Sequence, residues 1–334
     1  MEIKAILIEP NKSFKEIDFQ VAMKKMNDPE IAIWFHIHAE NPTEAIPLLT
    51  NEFGFHPVAV EDAVSKDERP ELKEFDDHIF LVAPALIGIQ NGTQNFSTEN
   101  YDEVGFFVKG TTLVTITHVR VPCLESLLNR WIQRQTVNHP EVGYLLFSIL
   151  DAILDSYFPC LDAIEDRVDE ISDLIYEGHT DKLKELLIIK RRMLEMRRRL
   201  GPFRDVMNSI LRRELPFISD PMAPYFHDLF DNTLRLTELV DTNRDALTGL
   251  LDIHLSTVSN NLNEVMKKMT VISTVLMLAA LIAGIYGMNF SNMPELDWRY
   301  GYIAALLLMG AIATIQTGML WRRGWFEDWT GSRR

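Results

Sequence analysis

Residues 286–296 read YGMNFSNMPEL, a short bend with an amide at Asn289, a proline at Pro294 and an acid at Glu295. Upstream of it, alternate steps of four and three from Asp252 pick out Ser256, Ser259, Asn263, Met266, Thr270, Ser273, Met277, Ala280 and Gly284. Carboxylate, carboxamide and hydroxyl oxygens are hard donors that suit small hydrated cations. Glu295 and Asp297 in the bend would raise the local cation concentration, although a solvated loop acid is an equally ordinary reading. A spacing averaging about 3.5 is the period of helices that wind around a common axis. Stripes of small residues also serve tight helix packing in membranes. Hydroxyls at membrane depth, with Asn263 and Asp252 below them, favour a wet stripe, because facing polar rings need water or ions.

Two apolar segments must position these groups. Met269 to Met288 and Tyr300 to Trp321 contain no charged residue. At about 1.5 Å per helical residue, twenty residues reach roughly 30 Å, the thickness of a bilayer's hydrocarbon core. The pattern predicts transmembrane helices at about 269–288 and 300–321, an external loop at 291–299 and a tail at 322–334. A buried hairpin in a soluble protein is the competing reading, but core helices of this length usually carry charge along one edge. Lys267 and Lys268 precede the first span and Arg322 and Arg323 follow the second, whereas the connection offers only Arg299. Both termini are therefore expected in the cytosol. No proline occurs between Pro224 and Pro294. An uninterrupted helix from about Met222 to Met288 would run roughly 100 Å, predicting a stalk over 221–290 that projects from the cytosol through the membrane.

Before the stalk, residues 1–120 alternate strand-like runs (AILIEP, IAIWFHIHA, HIFLVAPALIGI, EVGFFVKG, TLVTITHV) with helical ones, predicting a cytosolic α/β domain with a mixed sheet. NPTEAIPLLTNEF reads as a helix start capped by Asn41. Over 121–220 helical patterns take over. Residues 151–177 hold nine acids against one arginine, and 190–204 hold seven bases against one acid, which suits neighbouring helices with solvated charged faces. A formal charge of −15 argues against nucleic acid as a partner. The opening MEIKAILIEPNKSF has neither a basic start with an apolar run nor an Arg-rich amphipathic look, so the first span is expected to act as the insertion signal. Cys123 and Cys160 are expected as free cytosolic thiols.

Gly287, Met288 and Asn289, followed by MPEL at 293–296 between two C-terminal spans, closely resemble the signature of the CorA family of magnesium transporters. GFHPVAVEDA, RPELKEFDDHIFLV, LLFSILDAILDSYF, NRDALTGLLDIHLSTVSNNLNEVMKKMT and IAGIYGMNF resemble family segments in family order. The resemblance implies an α+β membrane protein that assembles as a homopentamer, one long helix per subunit lining a central pore. It implies Mg²⁺ uptake, with Co²⁺ and Ni²⁺ permeation, through a selectivity mouth of Gly287, Met288 and Asn289. It also implies apolar constrictions at Met266, Met269 and Met277, polar ion stations at Asn263 and Asp252, and pore-lining Thr270 and Gly284. Regulatory Mg²⁺ held between subunits would involve Asp228; its partner is not evident, and Asp231, Asp102 and Glu103 are the fallback candidates. Leu278 stands where many members carry proline, Ala280 lacks a hydroxyl some members have, and the tail WFEDWTGSRR is an addition.

Two other readings compete. Zinc transporters share the family's broader fold, but zinc prefers imidazole and thiolate, and residues 255–334 contain no His or Cys. A membrane-anchored metal-dependent enzyme would draw on His36 and His38, which share one strand face by period two, and on Asp76, Asp77 and His78. Two histidines on one strand are more often structural. The sequence offers no P-loop and no nucleophile with a matched base.

Overall fold

The computed structural model describes residues 1–9, 14–26, 28–66, 68–87, 101–134, 140–176, 182–289, 293–294 and 297–325. They fall into two units, Met1–Leu251 and Asp252–Arg334.

The first unit is built on seven strands: β1 (Glu2–Ile8), β2 (Phe14–Ile17), β3 (Ala32–His38), β4 (Leu72–Glu74), β5 (Ile79–Leu86), β6 (Tyr101–Lys109) and β7 (Thr112–Thr117). Their order is β2-β1-β3-β7-β6-β5-β4. β3 and β7 run parallel and every other neighbouring pair is antiparallel, which makes the sheet mixed. β5 is buried along its whole length. A strand covered on both faces reads as a continuous apolar run, which is why IFLVAPAL shows no alternation. Gly110, at φ 58, turns β6 into β7 in the left-handed region that favours glycine.

Helices α1 (Phe19–Lys25) and α2 (Pro57–Val64) contribute to the apolar core around Phe35, Phe53, Phe80 and Phe107. Asp18 caps α1 by accepting from the Gln20 N–H at 2.9 Å. The expected helix after Asn41 is not regular. Pro42–Ala45 forms one 3₁₀ turn and Leu48–Glu52 a wider π turn. The Asn41 side chain caps nothing; its Oδ1 accepts from the Thr43 hydroxyl at 2.8 Å. Pro47, between the turns, has no N–H with which to continue an α ladder.

Four helices complete the region up to the stalk: α3 (Pro122–Arg134), α4 (Val142–Asp155), α5 (Phe158–Tyr176) and α6 (Leu183–Arg212). The expected single acidic stretch over 151–177 breaks at Ser156 and Tyr157, where Ser156 donates to the Ile153 carbonyl at 2.6 Å and the buried Tyr157 hydroxyl donates to that of Pro84 at 2.9 Å. Pro159, in the first turn of α5, lacks an amide to carry the ladder back. α5 and α6 bury Ile164, Val168, Ile171 and Ile175, and Leu186, Ile189, Met193 and Met196.

The basic block of α6 is not simply a solvated face, as its sequence suggests. Arg192 is buried, Arg199 pairs with Glu103 and lies 4.7 Å over the Tyr101 ring, and Arg213 pairs with Glu74 on β4. Arg197 meets Asp241 at 2.8 Å on α7 (Ala223–Tyr286). Arg199 thus ties α6 to the sheet and Arg197 ties it to α7, with Arg213 just beyond the helix end.

Three helical stretches are long and apolar enough to cross a membrane: Val142–Tyr176, Asp220–Tyr286 and Gly301–Arg322. The first is 56% buried within its own unit, which accounts for the apolarity of α4 as core packing, whereas the other two windows are 11% and 0% buried. The second unit thus consists of the membrane-length part of α7, the bend and α8 (Gly301–Arg322). α7 runs Ala223–Tyr286, four residues short of the expected end of the stalk, and α8 lies one residue on from the expected 300–321.

Candidate functional site

The stripe counted from the sequence lies on one continuous helix. Asp252, Ser256, Ser259, Asn263, Met266, Thr270, Ser273, Met277, Ala280 and Gly284 are all exposed. On the covered side of the same helix, His254 and Val271 are buried, at 3% and 5% exposure. The rest of this stretch is largely exposed as well, Leu255, Leu262, Ile272 and Leu276 among it. Met269 is also exposed. The Thr270 hydroxyl donates to the Met266 carbonyl at 2.8 Å, and that of Thr274 to the Thr270 carbonyl at 2.6 Å. A hydroxyl whose proton is committed to its own helix presents only lone pairs outward, as a cation requires. Glu264 and Lys268 pair at 2.5 Å, so these two charges largely cancel on the flank of the helix.

The mouth is set by how α7 ends. The Gly287 N–H donates to the Ala283 carbonyl at 2.9 Å and the Met288 N–H to that of Ile285 at 3.2 Å. A Cβ on residue 287 would stand 3.1 Å from the Ala283 oxygen, so glycine permits this close closure. The last turn presents the negative end of the helix dipole and carbonyls without helical partners, both favourable to a cation. Asn289 follows, exposed and non-helical. Asp297 is described and Glu295 lies outside the described residues, as does the tail from residue 326. Trp298 and Tyr300 meet edge to face at 6.4 Å, and the Gly301 N–H donates to the Trp298 carbonyl at 2.8 Å to start α8.

In the first unit, Asp228 and Asp231 are exposed on α7. Asp151 on α4, which the sequence reading did not single out, lies within electrostatic reach of Asp228. Burial, then the charges of Asp155 and Asp228, pushes it up to about 6, against the opposing pull of Arg130. Burial and like charge both favour the protonated form of a carboxyl. Two acids one turn apart in an otherwise apolar helix, LLFSILDAILDSYF, were the available signal. Asp102 and Glu103 are committed elsewhere. Asp102 accepts from the N–H groups of His118 and Val119 at 2.9 and 3.0 Å and meets His118 Nδ1 at 2.9 Å, while Glu103 pairs with Arg199. Both are buried.

The enzyme reading loses its metal centre. His36 is buried, its Nδ1 2.9 Å from the Thr115 hydroxyl, which also accepts from Trp34 Nε1 at 2.8 Å; burial, then His38 and Lys4, lowers it to about 4. His78 is spent between Asp77, at 2.7 Å, and the His56 N–H, at 3.3 Å. Among the described residues, only Asp102, Glu103 and His118 bring three metal-ligand atoms within 4.8 Å of one another, and the two carboxylates of that group are engaged by backbone amides and Arg199.

The chain matches the CorA-like Mg²⁺ transporter protein family over residues 30–323. It is 33% identical over 330 residues to the cobalt/magnesium transport protein CorA of Thermotoga maritima, spanning 97% of this chain and 92% of that one. The zinc transport protein ZntB of Enterobacter is 20% identical over 296 residues, 86% of each. Among solved structures, the complete CorA magnesium transporter of Methanocaldococcus jannaschii shares the fold with a TM-score of 0.82 at 24% identity, over 97% of this chain and 99% of that one. Fold, stripe and relatives define a membrane transport protein for metal ions, not an enzyme. The chain belongs to the CorA-like Mg²⁺ transporter family.

Proposed function

We propose that the protein is a homopentameric channel-type transporter that takes up Mg²⁺ across the cell (inner) membrane, with Co²⁺ and Ni²⁺ as further substrates and cytosolic Mg²⁺ as the closing signal. The observation that carries this reading is the unbroken exposed stripe from Asp252 to Gly284, leading to the amide of Asn289. A surface of oxygens and small side chains at membrane depth has no use against lipid, and copies of it facing one axis would make a wet path.

Mg²⁺ gives up water reluctantly, so carboxamides at Asn289, with the Gly287 and Met288 carbonyls nearby, would hold the hydrated ion without the grip of carboxylates. Rings of Met266, Met269 and Met277 would close the path by dewetting, and Asn263 and Asp252 would offer stations below. A divalent ion gains about 2 × 2.3, or 4.6, kcal/mol per 100 mV of membrane potential, so no nucleotide is needed. Both termini would be cytosolic by the placement of Lys267, Lys268, Arg322 and Arg323. Regulatory Mg²⁺ would sit at Asp228, with Asp151 and Asp155 beside it and Asp231 as a further candidate. Loss of that ion would leave like charges facing one another, loosen the packing and wet the pore.

The zinc reading has a named zinc transport protein among the relatives in its favour. The lack of His and Cys in residues 255–334 weighs against it. The test is ion-specific uptake into proteoliposomes with internal Mg²⁺ varied. Saturable Mg²⁺ entry that falls as internal Mg²⁺ rises supports the reading, and uptake confined to Zn²⁺ overturns it.

A further inference from the structure

The outward faces of α5 and α6 carry two stripes of the same period and opposite charge. On α6, steps of three and four give Lys184, Leu187, Arg191, Leu194 and Arg198; on α5, steps of four and three give Asp162, Asp166, Asp169, Asp173 and Tyr176. All ten side chains are exposed, Leu187 at 50%, Leu194 at 48% and Tyr176 at 66%. A groove of about 380 Å³ lies along the start of the α6 stripe, lined by Leu183, Lys184, Leu187, Ile188 and Arg191. Among the described residues, none of these seven charged groups forms an ion pair, although other charges on the same hairpin do, such as Arg167 with Glu185.

The two stripes cannot meet within one chain. α5 and α6 already face each other through Ile164, Val168 and Ile171 and through Leu186, Ile189 and Met193, which turns the stripes outward. Surfaces that are complementary but barred from meeting in one copy can meet between copies. Such a contact is head to tail, the kind that closes into a ring when the rotation fits. The period of about 3.5 is that of helices that pack side by side over several turns.

We propose that the α6 stripe of one subunit docks on the α5 stripe of its neighbour, giving the assembly an outer seam distinct from the axis lined by α7. The inference rests on the homo-oligomer of the proposed function. The occupant is a second copy, not an anionic membrane, because the four aspartates on the adjacent helix would be repelled by anionic lipid. Leu187 and Leu194 gain Tyr176 and the aliphatic stems of the seam as cover, and the three bases face the four acids.

The test uses the full chain in detergent and in nanodiscs. Arg191→Glu with Arg198→Glu, or Asp166→Lys with Asp169→Lys, should each lower the temperature at which the oligomer dissociates by about 5 °C, and the four changes together should recover most of it. Co-assembly of differently tagged Leu187→Cys and Asp169→Cys chains, oxidised with copper phenanthroline, should yield a cross-link joining the two tags. An intact oligomer with neither shift nor cross-link overturns the seam and leaves the pore reading standing. A wild-type chain that runs as a monomer overturns the oligomer itself, and the seam with it. Quenching of a bimane at Leu187→Cys by brominated lipid assigns the stripe to the membrane and also overturns the seam.

Discussion

Asp228 on α7 stands close enough to Asp151 on α4 for its negative charge to help hold the Asp151 carboxyl at about 6, after burial and alongside Asp155. The folded protein therefore binds a proton at Asp151 more tightly than the unfolded chain does, and stability drains away as pH rises from about 4 through about 6. A divalent cation between these carboxylates reverses the effect by favouring the ionised form. The thermal stabilisation by Mg²⁺ over EDTA should accordingly be larger at pH 7 than at pH 5, and Asp151→Asn should flatten that dependence. Differential scanning fluorimetry on the detergent-solubilised chain measures both, and a variant that keeps the full pH dependence removes the site.

Asn289→Ala should cut Mg²⁺ flux at least about tenfold, the loss of roughly 1.4 kcal/mol of recognition, while gel filtration shows an unchanged oligomer. Asn289→Asp should instead bind the ion longer and lower the maximal flux. Stopped-flow uptake into liposomes separates the two, and wild-type flux in Asn289→Ala would remove the amide from the selectivity argument.

Met277→Asn and Met266→Asn place a hydrating group where the thioethers would exclude water. Each should leave appreciable Mg²⁺ flux at internal Mg²⁺ concentrations that silence the parent. Ser273→Leu, between them on the same stripe, should do the opposite and reduce flux under depleted conditions. If all three behave alike in fluorescence-based uptake, the stripe does not line the path.

Gly287 and Gly284 make a matched pair for the helix end. A Cβ at Gly287 meets the Ala283 oxygen at 3.1 Å, whereas one at Gly284 meets nothing within 4 Å. Gly287→Ala should therefore distort the bend and lower flux, and Gly284→Ala should leave the helix end undistorted. Equal loss in the two variants would show that closure at residue 287 is not what matters.

Gly143 faces a harder limit, since a Cβ there would stand 2.3 Å from the Phe217 backbone oxygen. Gly143→Ala should destabilise the first unit by about 1–3 kcal/mol, read as a lower midpoint in urea unfolding monitored by tryptophan fluorescence.

Legibility tracked how local the cause was. α7 and α8 were plain in the sequence because charge is absent over a bilayer's length and no proline interrupts. β3, β5, β6 and β7 announced themselves through β-branched and aromatic runs. β2 and β4, at four and three residues, carry too few side chains for a period and form because β1 and β5 offer them edges. The turns after Asn41 misled because Pro42 signals a helix start that Pro47 then prevents. For the candidate site, the stripe from Asp252 to Gly284 was read from spacing along one helix, and Asn289 from the motif in the bend that follows. Asp151 did not, because its meaning depends on Asp228 arriving from another helix, a long-range contact that no local pattern encodes.

Rings stand at both ends of α8, Trp298, Tyr300 and Tyr302 at one and Trp321 beside Arg322 and Arg323 at the other. Such rings favour the headgroup level, so the distance between the two collars acts as a ruler laid against the lipid. Changing acyl-chain length would pull the collars out of register and load the turn that carries Asn289. Bilayer thickness would then act as a mechanical input to the proposed transporter.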